Sequence, residues 1–156
     1  MMVANVRGEL GPVSGTVRID EQHPDRSSVD VRVDLNGIDT REPKRDEHLK
    51  SADFFDVENH PEVRFVSTQV KPTRRGLELV GDLTMHGVTR SITLEVEPLE
   101  PAVADPWGNT RRGVAARGQL NRKDFGLEWN MALETGGILV GERVDIEIEA
   151  ELTLRK

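Results

Sequence analysis

The 156-residue chain contains no cysteine. Disulfides, thiolate metal sites and cysteine nucleophiles are thereby excluded, and cysteine usage leaves the compartment undecided. No apolar run approaches the ~18 residues of a membrane-spanning helix, and the N-terminal MMVANVRGEL lacks a basic segment followed by an apolar one. Neither stable membrane insertion nor secretion is signalled, so the chain as written is expected in the cytoplasm. Positive charge is in deficit as well: 28 acidic against 21 basic side chains give a net charge of −7. That balance disfavours nonspecific attraction to nucleic acid, and no nucleic-acid partner is expected. The basic runs Lys71–Arg75 and Arg111–Arg112 stand next to Pro or Gly and are expected to be solvated turns. No internal repeat, linker or low-complexity stretch divides the chain, and its length fits one domain spanning residues 1–156.

What is present is alternation. In SSVDVRVDLNG the residues Val29, Val31, Val33 and Leu35 fall on one face, with Asp30, Arg32 and Asp34 on the other, as in a half-buried antiparallel strand. GLELVGDLTM aligns Leu77, Leu79, Leu83 and Met85 with Gly81, and RSITLEVE aligns Ile92, Leu94 and Val96. Between them His86–Thr89, HGVT, supplies the glycine of a hairpin turn. The longest alternation is RVDIEIEAELTLRK, with Val144, Ile146, Ile148, Ala150, Leu152 and Leu154 against four acidic residues. Val13, Val17 and Ile19 mark a strand near the start, and VRFVSTQV another after Pro61. RRGVAARGQLNRKD puts Val114, Ala116, Gly118, Leu120, Arg122 and Asp124 on one parity, where small residues leave volume on the inward side.

One helix is expected over about residues 40–55, with Pro43 in its first turn and few apolar positions: Leu49, Ala52, Phe54 and Phe55. Many strands with one short helical insertion predict an all-β barrel or sandwich. Three of the four phenylalanines lie in HLKSADFFDVENHPEVRF, residues 48–65. Phe65 shares its parity with Val63 and belongs to a strand core. Phe54 and Phe55 point about 100° apart on a helix, so one plugs the barrel and the other packs beneath the turn.

Catalytic and metal chemistry find little support. His23, His48, His60 and His86 occupy separate turns or element ends and form no HxH, HxxxH or HExxH pattern, so no metal site is expected. Ser51 and Asp53 near His48 and His60 have no glycine-framed nucleophile elbow and suit capping better. Gly136, Gly137 and Gly141 have the look of a hairpin loop, not a phosphate loop. In NRKDFGLEWNM, Arg122 and Asp124 form either an ion pair that ties strand to strand or a cation and acceptor for an amphiphile's head group. Phe125, Leu127, Trp129 and Met131 continue on the opposite parity unless Gly126 introduces a bulge.

Three blocks, HLKSADFFDVENHPEVRF, GDLTMHGVTRSITLEVE and NRKDFGLEWN followed by GERVDIEIEAEL, closely resemble in order and spacing the YceI-like family of polyisoprenoid-binding proteins. The resemblance runs from about Val3 to the C-terminus. It implies a lipocalin-like antiparallel β-barrel, often dimeric, that holds a polyprenyl phosphate or isoprenoid quinone in its lumen and catalyses no reaction. Family members usually open on a strand with a Trp-x-x-Asp-x-x-His-Ser-like pattern, and MMVANVRGELGPVSG is similar to the segment that follows it. Either the first strand is absent, or translation starts earlier, or only ordered residues are given; an earlier start would allow a signal peptide and a periplasmic or secreted protein.

The expectation is thus a homodimeric carrier of an isoprenoid lipid, without cofactor, metal or catalytic residue. Parity and resemblance together assign the lumen to Leu49, Phe54, Phe65, Leu83, Met85, Ile92, Leu94, Leu120 and Ile146, with Arg122 and Asp124 as head-group candidates. An enzyme of isoprenoid or quinone metabolism using the barrel as substrate tunnel is the alternative, but the sequence offers no convergent acid and base. A stress-related structural protein with a filled core is the third.

Overall fold

The structure is a computed structural model and describes residues 8–127 and 142–154. Eight strands form one antiparallel sheet: β1 (Val13–Arg18), β2 (Ser28–Asp34), β3 (Glu62–Thr73), β4 (Gly76–Met85), β5 (Val88–Val96), β6 (Val103–Ala104), β7 (Thr110–Asn121) and β8 (Arg143–Thr153). The order is β1-β2-β3-β4-β5-β7-β6, with β8 paired along β7 from Arg111–Thr153 to Asn121–Arg143. The expected lipocalin-like, all-β architecture is observed. Hydrogen bonds do not close the sheet into a ring among the described residues.

The sheet nevertheless curls. Arg112 of β7 donates through Nη2 to Glu21 Oε1 at 2.5 Å, just beyond the end of β1. Five strand spacings separate β1 from β7 in the sheet order, about 24 Å if the sheet were flat. A direct ion pair between these regions therefore requires the sheet to bend back on itself.

The middle of the sheet carries the dry core. Val63, Phe65, Val70, Leu79, Leu83, Met85, Leu94 and Val96 are all buried and belong to one cluster with Leu35, Ile38, Val57, Phe125 and Leu127. Alternation explains most of it, with one interruption. In β3 the inward positions Val63 and Phe65 are odd-numbered and Val70 is even, and the register against β4 shifts between Ser67 and Gln69. The extra residue is a β-bulge that returns Val70 to the core side. Ser67 Oγ accepts the Val29 N–H at 2.8 Å, giving that backbone donor a partner beside the bulge. Gly81 lies opposite Ser67, where an added Cβ would meet Phe65 Cζ at 2.4 Å and the Val66 carbonyl oxygen at 2.7 Å.

The helix, α1, is shorter than expected: Pro43–Lys50, followed by turns through Phe55 instead of further helix. Pro43 starts it, as its missing N–H allows. Asp46 reaches back to accept from the backbone N–H and hydroxyl of the buried Thr40, at 2.8 and 2.5 Å. Those bonds hold the Asp46 carboxyl below its ordinary range.

Two expectations about strand limits are corrected. Arg111 and Arg112 are not turn residues; both lie in β7, because Thr110 already pairs with Ala104. The alternation expected to run through Asp124 stops at Asn121, and Arg122–Phe125 is a 3-10 turn. The Asn121 side chain caps it by accepting from Lys123 N–H at 2.9 Å, and Gly126 ends it in the left-handed region at φ 74°. Trp129, Met131 and the loop glycines Gly136, Gly137 and Gly141 lie outside the described residues.

Candidate functional site

The inward face of the sheet grades from dry to half-wet. At its centre, Leu83, Met85, Leu94 and Phe65 are 4–6% exposed. Toward the flanks the residues of the same parity pack against that core but are only half-buried: Val29, Val31 and Val33 on β2, Val114, Ala116 and Leu120 on β7, Ile148 on β8. These strands lie away from the middle of the sheet order, β8 has β7 as its one neighbour among the described strands, and β7 presents small side chains there. Gly118 brings β5 so close that a Cβ would lie 2.7 Å from Leu94 Cδ2. The result is an apolar inner surface continuous with the core and incompletely covered.

Of the predicted lumen residues, Phe65, Leu83, Met85 and Leu94 sit in the buried cluster. Ile92 and Leu120 pack against it half-buried, as does Leu49 of α1, and Ile146 of β8 is half-buried opposite Gly118. Phe54 is buried and meets the His48 ring edge-on, with centroids 5.0 Å apart, while Phe55 is half-buried against the main cluster. The two adjacent rings thus have different surroundings.

The head-group candidates Arg122 and Asp124 do not share a strand face. Arg122 is 4% exposed, with Nη1 donating to the Leu127 carbonyl, and Asp124 is exposed on the same 3-10 turn. The cation that does continue the inward parity of Val114 and Ala116 is Arg112, paired with Leu152 of β8. Its side chain is 17% exposed, its Nη2 binds Glu21, and its buried Nε has no hydrogen-bond partner among the described residues. Sequence reasoning missed it by assigning the pair to a turn, although counting back two residues from Val114 reaches it. Its neighbour Arg111 points outward: Nε donates to Asp105 Oδ2 at 2.6 Å, which together with Asn109 N–H depresses the Asp105 carboxyl below its ordinary range.

The outer face is charged. Arg64 binds both oxygens of Asp30 at 2.8 and 3.1 Å and lowers the Asp30 carboxyl. Two shallow concavities, of about 240 and 360 Å³, both include Thr16 and Asp30; the smaller is lined mainly by polar groups, and the larger mixes them with Val29 and Val66.

The histidines regroup in space. His48 Nε2 lies 2.9 Å from Asp53 Oδ2 on the surface. His60 and His86, far apart in sequence, meet edge to face with ring centroids 5.2 Å apart, beside Asp56. The spacing Asp56-x-x-x-His60 was a readable i, i+4 pair; its meeting with His86 was not.

Comparison with known proteins places the chain. The YceI-like domain profile matches residues 1–152. The chain belongs to the YceI-like family. Curated relatives include a UPF0312 protein of Pectobacterium atrosepticum, 38% identical over 120 residues, and protein YceI of Escherichia coli, 37% identical over 124 residues. The matched regions cover 77% and 80% of this chain but 62% and 64% of those relatives, so the chain spans less than two thirds of their length. Among solved structures, a YceI protein of Campylobacter jejuni superposes with a TM-score of 0.81 at 22% identity, covering 100% of this chain and 89% of the other. Burkholderia cenocepacia BcnA gives 0.82 at 18% identity, over 97% and 90%. The YceI-like fold is thus retained here at low identity.

Proposed function

We propose that this YceI-like protein is a non-catalytic carrier of a long isoprenoid amphiphile, a polyprenyl phosphate or an isoprenoid quinone. The observation that carries the reading is the half-buried apolar inner surface on β2, β7 and β8. Such a surface is unstable against water and gains from an apolar tail laid along it. Each 100 Å² of apolar area so removed contributes about 2.5 kcal/mol, enough for enclosure to dominate affinity. A branched isoprenoid matches a wall of valine, alanine and isoleucine in shape. Arg112 stands on the same face with one N–H unsatisfied, a position from which it orients an anionic or carbonyl-bearing head. Arg122, held by the Leu127 carbonyl, and the exposed Asp124 are less suited to that part.

Native mass spectrometry of freshly purified protein, followed by solvent extraction, tests the proposal. A 1:1 complex that releases an isoprenoid, or is formed on adding polyprenyl phosphate or quinone, supports it. Protein that is ligand-free and ignores both added lipids overturns it. Chemical conversion of the added lipid would favour instead an enzyme using the curled sheet as a substrate tunnel.

A further inference from the structure

We infer that Asp56, His60 and His86 form a binding site for a first-row divalent transition-metal ion, zinc being the best match. One ligand atom from each lies within 4.8 Å of the others, and all three residues are half-buried. A tetrahedral ion with bonds of about 2.0–2.1 Å holds its ligand atoms about 3.3 Å apart. The widest gap therefore has to close by no more than about 1.5 Å, shared between side chains that rotate about two torsions each.

Three features of the surroundings prepare the site. The backbone N–H groups of Asn59 and His60 both donate to the Asp56 carbonyl, at 3.1 and 2.8 Å. This turn brings the side chains at i and i+4 to one side. Asn59 Nδ2 donates to both Asp56 carboxylate oxygens, at 2.9 and 3.2 Å, which orients the carboxylate as outer-shell partners of metal sites do. Finally, His86 Nδ1 lies 3.1 Å from the Phe125 carbonyl oxygen. A carbonyl can only accept, so Nδ1 carries the proton and the neutral ring keeps its lone pair on Nε2, ready to ligate. Imidazole bonded to a carbonyl through its second nitrogen is the usual state of a metal-binding histidine.

The backbone at the site is also specialised. His86 and Gly87 form the two-residue β4–β5 hairpin turn, both in the left-handed region at φ 55° and 73°, and Asp56 is left-handed at φ 49°. A Cβ on Gly87 would meet His60 Cε1 at 2.9 Å, so the glycine lets the His60 ring approach the hairpin. Two imidazoles and one carboxylate suit zinc, cobalt or ferrous ion better than calcium or magnesium, which prefer oxygen. Three protein ligands leave a further position for water. The ion would tie the 56–60 turn to the β4–β5 hairpin and, through the Phe125 carbonyl, to the 3-10 turn after β7. This is independent of the apolar face and of what that face carries.

The test uses the full chain without a histidine tag, stripped with EDTA and titrated with zinc chloride by calorimetry, with cobalt(II) absorption as a second readout. Expected are one ion per chain, a visible cobalt spectrum of tetrahedral intensity and a rise in Tm with zinc. Asp56→Asn and His86→Asn keep residues that tolerate the left-handed backbone, and should weaken zinc binding more than about tenfold, the loss that even an outer-shell change produces. His48→Ala, whose pair with Asp53 and edge contact with Phe54 lie outside the proposed ligand set, should leave binding unchanged. Absence of binding to the parent, or binding that D56N and H86N leave intact, overturns the assignment. Circular dichroism of the stripped variants, expected to match the parent, separates lost ligation from lost folding.

Discussion

Replacing Gly81 by alanine sets two measurable effects against each other. Gly81 is buried on β4 with no positive φ, so alanine fits its backbone and should gain about 0.4–1 kcal/mol by restricting the unfolded chain. Opposing this, the new Cβ would stand 2.4 Å from Phe65 Cζ and 2.7 Å from the Val66 carbonyl oxygen. Comfortable carbon contacts are about 3.5–4.0 Å, so the ring must retreat by more than about 1 Å in a close-packed core. The carbonyl belongs to the strand next to the bulge and cannot rotate aside. Overpacking of this kind costs about 1–3 kcal/mol, so steric conflict wins and the variant should lose about 1–2 kcal/mol. For a chain of this size Tm then falls by about 2–8 °C. Urea unfolding should show a lower midpoint with an unchanged slope. Phe65→Leu should be less damaging in the alanine background than alone, with a coupling of about 0.5–3 kcal/mol. A neutral or stabilised Gly81→Ala protein, with additive behaviour in the cycle, would refute the claim that the bulge and the Phe65 ring reserve this position for glycine.

Other outcomes follow from the same contacts. Phe54→Ala should reduce the fraction of lipid retained through gel filtration more than it lowers the urea midpoint; retention equal to the parent's makes the Leu49-to-Phe55 segment a purely structural corner. Arg112→Met keeps much of the aliphatic stem and removes the charge, so affinity for a polyprenyl phosphate should drop at least severalfold in a fluorescence competition assay while a head-less isoprenoid is unaffected; equal losses for both would mean that Arg112 acts by packing. Asp105, lowered by Arg111 and by the Asn109 and Trp107 N–H groups, contributes stability that is complete above its ordinary pKa of 3.8 and disappears as pH falls through its depressed folded value. Asp105→Asn should therefore flatten the decline of Tm below about pH 4, and an undiminished decline would assign acid sensitivity to other carboxylates.

Local patterning made much of the sheet readable. Strict alternation in residues 29–35, 77–85 and 92–96 specified which faces would be dry, because the side-chain period of a strand is two and one face must leave water. The His86–Gly87 turn followed from glycine between two such runs. Where the period changes without a Gly or Pro to mark it, the sequence misled: alternation continues on paper through Arg122 and Asp124, yet the Asn121 cap converts the chain to a 3-10 turn there. Likewise Arg111 and Arg112 look like a solvated turn by composition, whereas pairing of Thr110 with Ala104 draws them into β7.

The chain by itself determined an antiparallel β fold, one short Pro-started helix, and a family likeness carried by three spaced blocks, since each depends on neighbours within a few residues or on ordered motifs. Only the tertiary structure decided that β3 bulges at Thr68, that Arg112 faces inward toward Glu21, and that His60, His86 and Asp56 converge. Those relations join residues separated by 26 to 91 positions or depend on register between strands. Sheet curvature and pairing set such distances, and no local periodicity records them.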